Sequence, residues 1–491
     1  MRSLDFEPRE HRIAAHPEAD GEVLVVDLDG TLTRTDLFYE TAWSALSKRL
    51  GNITGIARAL ARGRAHAKHR LAELGPIDAA KLPYNDAVID HIRRWRATGG
   101  RTALVSASDQ HVVDAVAAHL GLFDEAHGSD GRRNLKGAEK AAFLVDRFGE
   151  GAFTYIGDSA ADLEVWRVAS GAVTVDIGSR RRAQVDSMGI GTEHLTTHDG
   201  PFRPALRAMR PHQWLKNLLI FLPMLAAHQF DLVTATQAFI AFVAFSVTAS
   251  SVYLLNDLLD LDADRAHPRK RRRPLASGAL PLATGTALVP MLLAVGLGLS
   301  LLLGPLFLAA MLGYYAVTTA YSFKLKRLLV IDICTLAGLY TMRIIAGGAA
   351  TGIPLSMWLL AFSTFFFFSL AAMKRQAELV SGAAAGEEKA HGRGYQVGDL
   401  PLVANMAVSS GIVAVLVFAL YLNSDTVTRL YANPTPLWGI CLVLLYWISR
   451  MVMITHRGWM HDDPVVFAAT DRISLICGGL MVALVLAGMI L

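Results

Sequence analysis

Long apolar stretches fill the latter part of the chain and constrain its fold more than any other feature. A helix that crosses a lipid bilayer needs about 20 mostly apolar residues. Stretches of about that length lie near 216–232, 235–255, 282–303, 305–322, 328–349, 355–373, 401–422, 434–455 and 471–491. The sequence therefore predicts an all-α, multi-pass membrane bundle of about nine transmembrane helices within residues 205–491.

The connections between these stretches are polar and mostly basic, as in HPRKRRRP and FKLKRL. Basic loops tend to stay on the cytoplasmic side of an inner membrane, so we expect these loops there. The N-terminus is charged and has no apolar signal-peptide core, which favours a cytoplasmic location for the first domain as well. The formal net charge is only +4, and its basic clusters lie beside apolar segments, so we expect membrane lipids as partners and no nucleic acid.

Residues 21–185 have the pattern of a soluble α/β domain. The apolar runs EVLVV, TALVSAS, AFTYIG and AVTVDIG alternate with helical patterns. This alternation predicts a parallel, Rossmann-like sheet whose ligands bind at the carboxyl ends of the strands. A basic helical stretch at about 36–83 predicts a small cap over that edge. We expect residues 1–20 to form a tail and residues 186–204 a linker.

Two carboxylates follow the first predicted strand in the motif DLDGTLT, which begins at Asp27. A turn at this point can present Asp27 and Asp29 to one small volume, where a cation must relieve their repulsion. Mg²⁺ prefers such oxygen ligands. One carboxylate can then attack a phosphoryl group while the other handles the leaving-group proton, and Thr31 can hold the phosphate.

Polar side chains also follow the later strands, and each type suits phosphoryl transfer. Ser106 in LVSAS offers a hydroxyl for phosphate oxygens, and Lys136 or Lys140 in NLKGAEKAAFL offers an ammonium group. Asp158 and Asp162 in YIGDSAADLEVW offer carboxylates for a metal or substrate. The carboxyl ends of parallel strands meet at one edge, so we expect these groups to converge.

The ordered set of motifs resembles the haloacid dehalogenase superfamily of phosphatases over residues 21–180. The resemblance implies Asp27 as the nucleophile that forms an aspartyl phosphate and Asp29 as the acid and base. It also implies that Asp27, the Asp29 backbone and Asp158 bind Mg²⁺. Lys136 is the first choice for the catalytic lysine by its distance to the GDS turn, and Lys140 is the alternative.

The second apolar segment ends in an acidic motif, LLNDLLDLDADRAHP, whose oxygen-bearing side chains include Asn256, Asp257, Asp260 and Asp264. On one continuous helix, Asn256, Asp260 and Asp264 would share a face. Acidic groups at a membrane helix end are costly unless neutralised, and Mg²⁺ with a diphosphate would neutralise them. Lys270 and Arg273 follow and suit an anionic substrate, although contact with lipid headgroups remains an alternative.

A further polar group surrounds a later loop and comprises Tyr321, Lys326, Asp332 and Arg343. Asp332 and Arg343 lie within an otherwise apolar helix, where an ionisable residue suggests a functional site. The alternative is that these two residues pair with each other for structural reasons.

These motifs resemble the UbiA superfamily of intramembrane prenyltransferases over residues 205–491. MRPHQWLKN, LNDLLDLDADRAHPRKRRRPLASG, YSFKLKRLLVIDICTLAGLYTMRIIAGG and RGWMHDDPVVFAATDR look most similar to the branch of decaprenyl-phosphate phosphoribosyltransferases. The resemblance implies that Mg²⁺ and pyrophosphate are held by Asn256, Asp257, Asp260 and Asp264. It further implies phosphate contacts from Lys216, Lys270, Arg273, Tyr321, Lys326 and Arg343. It leaves Asp462 and Asp463 either structural or at the mouth of the site.

That branch moves phosphoribose from phosphoribosyl pyrophosphate to polyprenyl phosphate. With the fused phosphatase, the sequence suggests that the 5-phosphate is then removed to give polyprenyl-phosphoribose, a precursor of sugar donors for cell-surface polymers. Two alternatives stay open: an aromatic prenyltransferase that uses a prenyl diphosphate, and a non-catalytic lipid carrier or transporter. A homo-oligomer is also left open.

Overall fold

The computed structural model describes residues 22–49, 51–61, 64–129, 134–197, 200, 202–386, 393–460 and 463–490. The expected tail at 1–20 lies outside these residues. The chain divides into two compact units. The first unit comprises Met1–Pro201, Leu261–Arg272 and Ala276–Leu282, and the second comprises Phe202–Asp260, Arg273–Leu275 and Ala283–Leu491.

The first unit is built on a parallel six-stranded sheet with the strand order β3-β2-β1-β4-β5-β6. The strands are β1 Val23–Val26, β2 Arg101–Asp109, β3 Glu125–Ser129, β4 Phe153–Gly157, β5 Gly171–Val175 and β6 Gly191–Leu195. β1 pairs with β2 on one side and with β4 on the other, and all four of its residues are buried. Its continuous apolar sequence is typical of a strand covered on both faces. The α/β prediction is confirmed.

Strand β6 departs from the expected linker at 186–204. Gly191–Leu195 pairs in parallel with β5, so the sheet extends beyond residue 185. The sequence GTEHL carries little apolar signal, because β6 is an edge strand whose first three residues are exposed.

Helices cover the sheet and form the expected cap. The helices of this unit are α1 Leu37–Lys48, α2 Asn52–Ala61, α3 Arg64–Leu74, α4 Asp86–Ala97, α5 Gln110–Leu120, α6 Ala138–Phe148, α7 Leu163–Trp166 and α8 Ser179–Asp186, with 3-10 turns at Ala79–Lys81 and Ala160–Asp162. Helices α1 to α3 form the cap around a small core of Ala45, Ile56 and Leu71. Asp36 begins the cap as the N-cap of α1, because its side chain accepts a hydrogen bond from Phe38 N.

The second unit is helical. In chain order its helices are α9 Phe202–Ala208, α10 Leu222–Ala226, α11 Leu232–Leu259, α13 Leu282–Leu301, α14 Pro305–Phe323, α15 Ile331–Thr351, α16 Met357–Ala384, α17 Leu400–Leu422, α18 Asp425–Leu430, α19 Trp438–His456, α20 Pro464–Thr470 and α21 Arg472–Ile490. Helix α12, Leu261–Ala266, and a 3-10 turn at Lys270–Arg272 pack with the first unit. Further 3-10 segments are Pro211–Phe221, Leu325–Arg327, Val397–Asp399 and Thr435–Leu437.

Among the described residues, eight helices are long and apolar enough to span a membrane, rather than about nine. The difference lies at the first predicted span, 216–232, which is instead a 3-10 segment, Pro211–Phe221, followed by the short helix α10. Pro223 lacks the N–H that a continuous α-helix would need there. The segment also packs closely on α15, since a Cβ at Gly347 would lie 2.1 Å from the Ile220 carbonyl oxygen.

Polar side chains gather at one end of the second unit. Consecutive helices that each span a membrane alternate in direction, so the ends after the first, third, fifth and seventh long helices are expected on the same side. The acidic motif, the Leu325–Arg327 turn, the charged end of α16 and the segment before α20 all fall at these ends. The sequence order thus places the candidate site residues of this unit at a common end.

Candidate active sites

Asp27, Asp29, Ser106 and Asp158 meet at the carboxyl edge of the sheet in the first unit. Asp27 directly follows β1, Ser106 lies in β2, and Asp158 directly follows β4. Since β1 pairs with both β2 and β4, the sheet register alone brings these positions side by side. The expected convergence is therefore present in the fold.

Lys140 forms the closest cationic contact with Asp27. Its Nζ lies 2.9 Å from Asp27 Oδ1, and both side chains are buried. Lys140 also donates to the Tyr155 hydroxyl at 2.8 Å. Lys136 precedes α6 and is exposed. The structure therefore places Lys140, and not the preferred Lys136, beside Asp27. Lys140 lies in the first turn of α6 and is buried against the sheet.

Asp29 is held by three donors. Ser108 Oγ donates to Asp29 Oδ2 at 2.6 Å and Ser106 Oγ donates to the same oxygen at 3.2 Å. The backbone N–H of Leu37, at the start of the cap, donates to Asp29 Oδ1 at 2.7 Å. Ser106 thus contacts the predicted acid and base, and its role in binding phosphate stays a prediction.

Asp158 and Asp162 have different surroundings. Thr31 Oγ1 donates to Asp158 Oδ1 at 3.2 Å, which joins the β1 and β4 turns. Asp162 Oδ2 accepts from Ser159 N and Ser159 Oγ, each at 2.8 Å, and its Oδ1 accepts from the Tyr155 hydroxyl at 2.9 Å. Asp162, predicted to contact substrate, therefore supports the turn that carries Asp158.

The carboxylates of this edge are crowded. Burial raises the pKa of Asp27 to about 6, although Lys140 opposes the shift. Burial, with the neighbouring charges of Asp27 and Asp162, also holds the pKa of Asp158 well above its usual range. Glycine is required at position 30, because φ is +76° and a Cβ would lie 2.3 Å from Asp158 Oδ2.

The donor set of this edge fits Mg²⁺. One carboxylate oxygen from each of Asp27, Asp158 and Asp162 lies within 4.8 Å of the others. Hard carboxylate oxygens are the ligands that Mg²⁺ prefers, and a divalent cation would offset the crowding that raises these pKa values. Because Asp162 is already hydrogen-bonded through both oxygens, Asp27 and Asp158 are the better candidates for ligands.

Lys68, a residue of the cap, also reaches this edge, although the sequence did not single it out. Lys68 in α3 donates from Nζ to the carbonyl oxygen of Ala107 at 2.6 Å. Ala107 lies between Ser106 and Ser108, so the Lys68 ammonium group reaches the edge of the site around Asp27 and Asp29. The basic composition of the cap was visible in the sequence, but it could not distinguish Lys68 from the other basic residues there.

In the second unit, Asp257 of the acidic motif pairs with two arginines. Its side chain is buried and its Oδ1 contacts two guanidinium groups, that of Arg210 and that of Arg273, the latter at 3.0 Å. Arg273 was predicted at this site. Arg210 was not, although it opens the motif RPHQWLKN.

Asp260 and Asn256 complete this part of the site. Lys326 Nζ lies 3.3 Å from Asp260 Oδ2, and the Asp260 side chain is 39% exposed. Within the part of the chain that the structure describes, Asn256 Oδ1 is buried without a hydrogen-bond partner. An orphaned buried acceptor next to two carboxylates fits a cation such as Mg²⁺.

The acidic motif does not form one continuous helix. Helix α11 ends at Leu259, Asp260 is its C-cap, and Asp264 lies in the separate helix α12. The expected stacking of Asn256, Asp260 and Asp264 on one face is therefore wrong beyond Asp260. Asp264 is buried and packs with the first unit, as does the exposed Lys270.

Asp332 has a cationic partner that the sequence did not suggest. Arg375 Nε lies 2.5 Å from Asp332 Oδ2, and both side chains are almost fully buried. Tyr321 donates to Asp332 Oδ1 at 2.8 Å, and Arg393 donates to the Tyr321 hydroxyl at 3.0 Å. The alternative pairing of Asp332 with Arg343 is therefore wrong.

Arg343 instead contacts neutral groups. Its Nε donates to Asn217 Oδ1 at 2.8 Å, and its Nη2 donates to the Tyr314 hydroxyl at 3.3 Å. Lys216, the neighbour of Asn217, is buried and pairs with Asp463 at 2.7 Å. Burial lowers the pKa of Lys216 to about 8, against the opposing effect of Asp463. Asp462 lies outside the described residues.

Three further charged residues that the sequence did not single out come from α16. Lys374, Arg375 and Glu378 lie in this helix, which continues to Ala384 instead of ending near the predicted limit at 373. The predicted span at 355–373 ends just before the charged run KRQAE, which begins at Lys374. Apolar content alone defined the predicted span. The sequence therefore did not predict that the helix continues through the charged residues at its end.

The chain matches two protein-family models. One is the UbiA prenyltransferase family over residues 217–476, and the other is haloacid dehalogenase-like hydrolase over residues 24–167. The chain is 38% identical over 463 residues to the uncharacterized protein y4nM of Sinorhizobium fredii, covering 93% of this chain and 89% of that protein. Both predicted parts are thus recognised in one chain.

Two further relatives match a smaller part. Nodulation protein NoeC of Azorhizobium caulinodans is 39% identical over 280 residues, covering 56% of this chain and 90% of that protein. Decaprenyl-phosphate phosphoribosyltransferase of Mycolicibacterium smegmatis is 43% identical over 179 residues, covering 35% of this chain and 56% of that protein. The chain therefore belongs to the UbiA prenyltransferase family, as an integral membrane protein with a haloacid dehalogenase-like hydrolase domain at its N-terminal end.

Proposed function

We propose that the chain catalyses two consecutive reactions on one lipid. The second unit transfers 5-phosphoribose from phosphoribosyl pyrophosphate to a polyprenyl phosphate, and the first unit removes the 5-phosphate to leave polyprenyl-phosphoribose. The observation that carries the proposal is that one chain holds two separate phosphate-type sites, one around Asp27 and Lys140 and the other around Asp257 and Asp260.

In the transfer reaction, an oxygen of the lipid phosphate attacks C1 of the ribose while the bond from C1 to the pyrophosphate oxygen breaks. The leaving pyrophosphate gains negative charge, so cations must surround it. Arg210 and Arg273 at Asp257, and Lys326 at Asp260, provide them. The similarity to decaprenyl-phosphate phosphoribosyltransferase supports this donor.

In the hydrolysis, a carboxylate oxygen of Asp27 attacks the 5-phosphoryl group and the bond to the ribose O5 breaks. Asp29 gives its proton to the leaving O5 and then takes one from the water that cleaves the aspartyl phosphate. Lys140, 2.9 Å from Asp27, offsets the charge of the phosphoryl group. Ser106, which contacts Asp29, and Thr31, which contacts Asp158, would hold phosphate oxygens.

Both reactions handle groups with several negative charges. Bound Mg²⁺ would screen that charge, held by Asp27 and Asp158 in the first unit and by Asn256, Asp257 and Asp260 in the second. We propose that both sites face the cytoplasm, as expected from the basic loops of the chain.

The test follows the lipid product. Purified full-length protein in lipid nanodiscs is incubated with phosphoribosyl pyrophosphate, polyprenyl phosphate and Mg²⁺, and the lipids are analysed by mass spectrometry. The wild type should form polyprenyl-phosphoribose. An Asp27→Asn variant should accumulate the lipid that still carries the 5-phosphate, because the nucleophile of the second reaction is lost while the transfer continues.

A matched control is Asp90→Asn, which changes an exposed carboxylate of the same unit. This variant should give the product of the wild type. If Asp27→Asn also gives the wild-type product, the sequential scheme is wrong. A wild type that ignores phosphoribosyl pyrophosphate but consumes a prenyl diphosphate would instead indicate an aromatic prenyltransferase.

A further inference from the structure

Three side chains in the second unit contact the carboxylate of Asp463. We call the group of four residues the Asp463 cluster: Lys216, Tyr340, Lys374 and Asp463. Lys216 Nζ lies 2.7 Å from Asp463 Oδ2, and Lys374 Nζ lies 2.9 Å from the same oxygen. The Tyr340 hydroxyl donates to Asp463 Oδ1 at 3.0 Å. The Asp463 side chain is only 8% exposed and that of Lys374 is 29% exposed, so two ammonium groups share a carboxylate that is buried while one lysine still reaches solvent.

The cluster is assembled from four segments that are far apart in the chain. Lys216 lies in the 3-10 segment Pro211–Phe221, Tyr340 in α15 and Lys374 in α16. Asp463 is the N-cap of α20 and accepts a hydrogen bond from Val465 N. One carboxylate thus fixes the spacing of the two lysines and the start of a helix.

Positive charge exceeds negative charge around this cluster. The guanidinium carbon of Arg343 lies 5.5 Å from the centre of the Tyr340 ring, and Lys216 Nζ lies 5.7 Å from it. Within the described residues, the hydrogen bonds of Arg343 go to Asn217, Tyr314 and the Leu339 carbonyl, all neutral. Lys216, Lys374 and Arg343 thus face Asp463, while Glu378, the other carboxylate that acts on Lys374, also pairs with Arg375 and Arg393. A buried cation without a counter-charge is strongly unfavourable, so a further anion would stabilise the group.

The diphosphate of the donor already has other candidate partners. Arg210 and Arg273 contact Asp257, and Lys326 contacts Asp260. None of these residues belongs to the Asp463 cluster. The two proposed substrates each carry one more anionic group, a phosphate monoester: the 5-phosphate of phosphoribosyl pyrophosphate and the headgroup of polyprenyl phosphate.

We propose that Lys216, Lys374 and Arg343 bind a phosphate monoester, and that Asp463 is a positioning residue that holds the two lysines at the required spacing. This assignment rests on the proposed function, and it adds Lys374 and Asp463 to the transferase site. An ammonium group on a phosphate forms charge-assisted hydrogen bonds, which are stronger than those between neutral groups.

The test measures the binding of each substrate separately. Full-length protein in nanodiscs is titrated with phosphoribosyl pyrophosphate and Mg²⁺, or with polyprenyl monophosphate, and the bound fraction is read by native mass spectrometry. Lys374→Met should weaken the binding of one of the two by about 10- to 100-fold, the loss of one charged hydrogen bond. Lys374→Arg should restore most of it. The substrate that is affected identifies the source of the phosphate.

The control for the loss of charge is Lys324→Met, an exposed lysine of the same unit, which should leave both affinities unchanged. Melting temperatures of all variants show whether they remain folded. If Lys374→Met is folded and binds both substrates like the wild type, the site is refuted while the proposed function stands. If the wild type does not use phosphoribosyl pyrophosphate but Lys374→Met still weakens binding of the lipid phosphate, the proposed function fails and the site remains.

The role of Asp463 has its own test. Asp463→Asn should weaken binding of the same substrate as Lys374→Met, with Asp463→Glu restoring part of it. The matched control is Asp471→Asn, which removes a carboxylate that likewise accepts from a backbone N–H near the start of the next helix and pairs with Arg450. It should change neither affinity. Equal losses for both substrates in Asp463→Asn would indicate a general structural role and contradict the positioning role.

Discussion

Lys136 and Lys140 are four residues apart around the start of α6, yet only Lys140 contacts the proposed nucleophile, Asp27. Lys140 is buried 2.9 Å from Asp27 Oδ1, whereas Lys136 precedes the helix and is exposed. Burial of Lys140 is tolerated because the charges of Asp27 and Asp162 outweigh the effect of burial and raise its pKa. The ion pair with Asp27 thus distinguishes Lys140 from Lys136, although both residues are lysines.

Lys140→Met should therefore lower phosphatase activity by about 100-fold or more, the usual loss when a charged group next to a reacting phosphate is removed. Activity is measured as phosphate release from a small phosphomonoester by the full-length protein. Lys136→Met is the matched control and should retain most of the activity. The opposite ranking of the two variants would restore Lys136 as the catalytic lysine.

At the scale of elements, the segment before α11 shows how close packing replaces a regular helix. Apolar content predicts a span at 216–232, but the chain forms a 3-10 segment that approaches α15 at Gly347. This arrangement brings Lys216 and Asn217 to Asp463 and Arg343. The irregular segment therefore helps to build the site.

Gly347→Ala should disturb this contact, since its Cβ would lie 2.1 Å from the Ile220 carbonyl oxygen. Overpacking of this kind costs about 1–3 kcal/mol. We expect a lower melting temperature in detergent and reduced transfer of phosphoribose. Gly338→Ala is the control in the same helix, because nothing lies within 4 Å of the added methyl group. Equal melting temperatures for the two variants and the wild type would contradict the close packing.

At the scale of the whole molecule, each compact unit carries its own set of charged residues. Asp27, Lys140 and Asp158 belong to the first unit, and Asp257 and Asp260 to the second. Under the proposed function, fusion keeps both activities at equal amounts and raises the effective concentration of the phosphatase for the product of the transferase. The two reactions should nevertheless be separable by substitution.

Asp260→Asn should reduce formation of the lipid product by at least about tenfold, since even outer partners of metal sites cost about 10- to 100-fold when removed. The same protein should still release phosphate from a small phosphomonoester at the wild-type rate. Asp262→Asn, an exposed acid of the same motif, is the control. Loss of both activities in Asp260→Asn would show that the variant disrupts the whole chain.

The division into an α/β domain and a membrane bundle could be predicted from the amino-acid sequence, because apolar length and strand patterns are local properties. The sequence also predicted the group around Asp27, since motifs at the ends of neighbouring parallel strands must meet. Folding in three dimensions was needed to place Lys140 rather than Lys136 beside Asp27, to end α11 before Asp264, and to join Asp332 to Arg375 and Asp463 to Lys216 and Lys374. These outcomes depend on burial and on contacts between distant segments, and no local pattern encodes them.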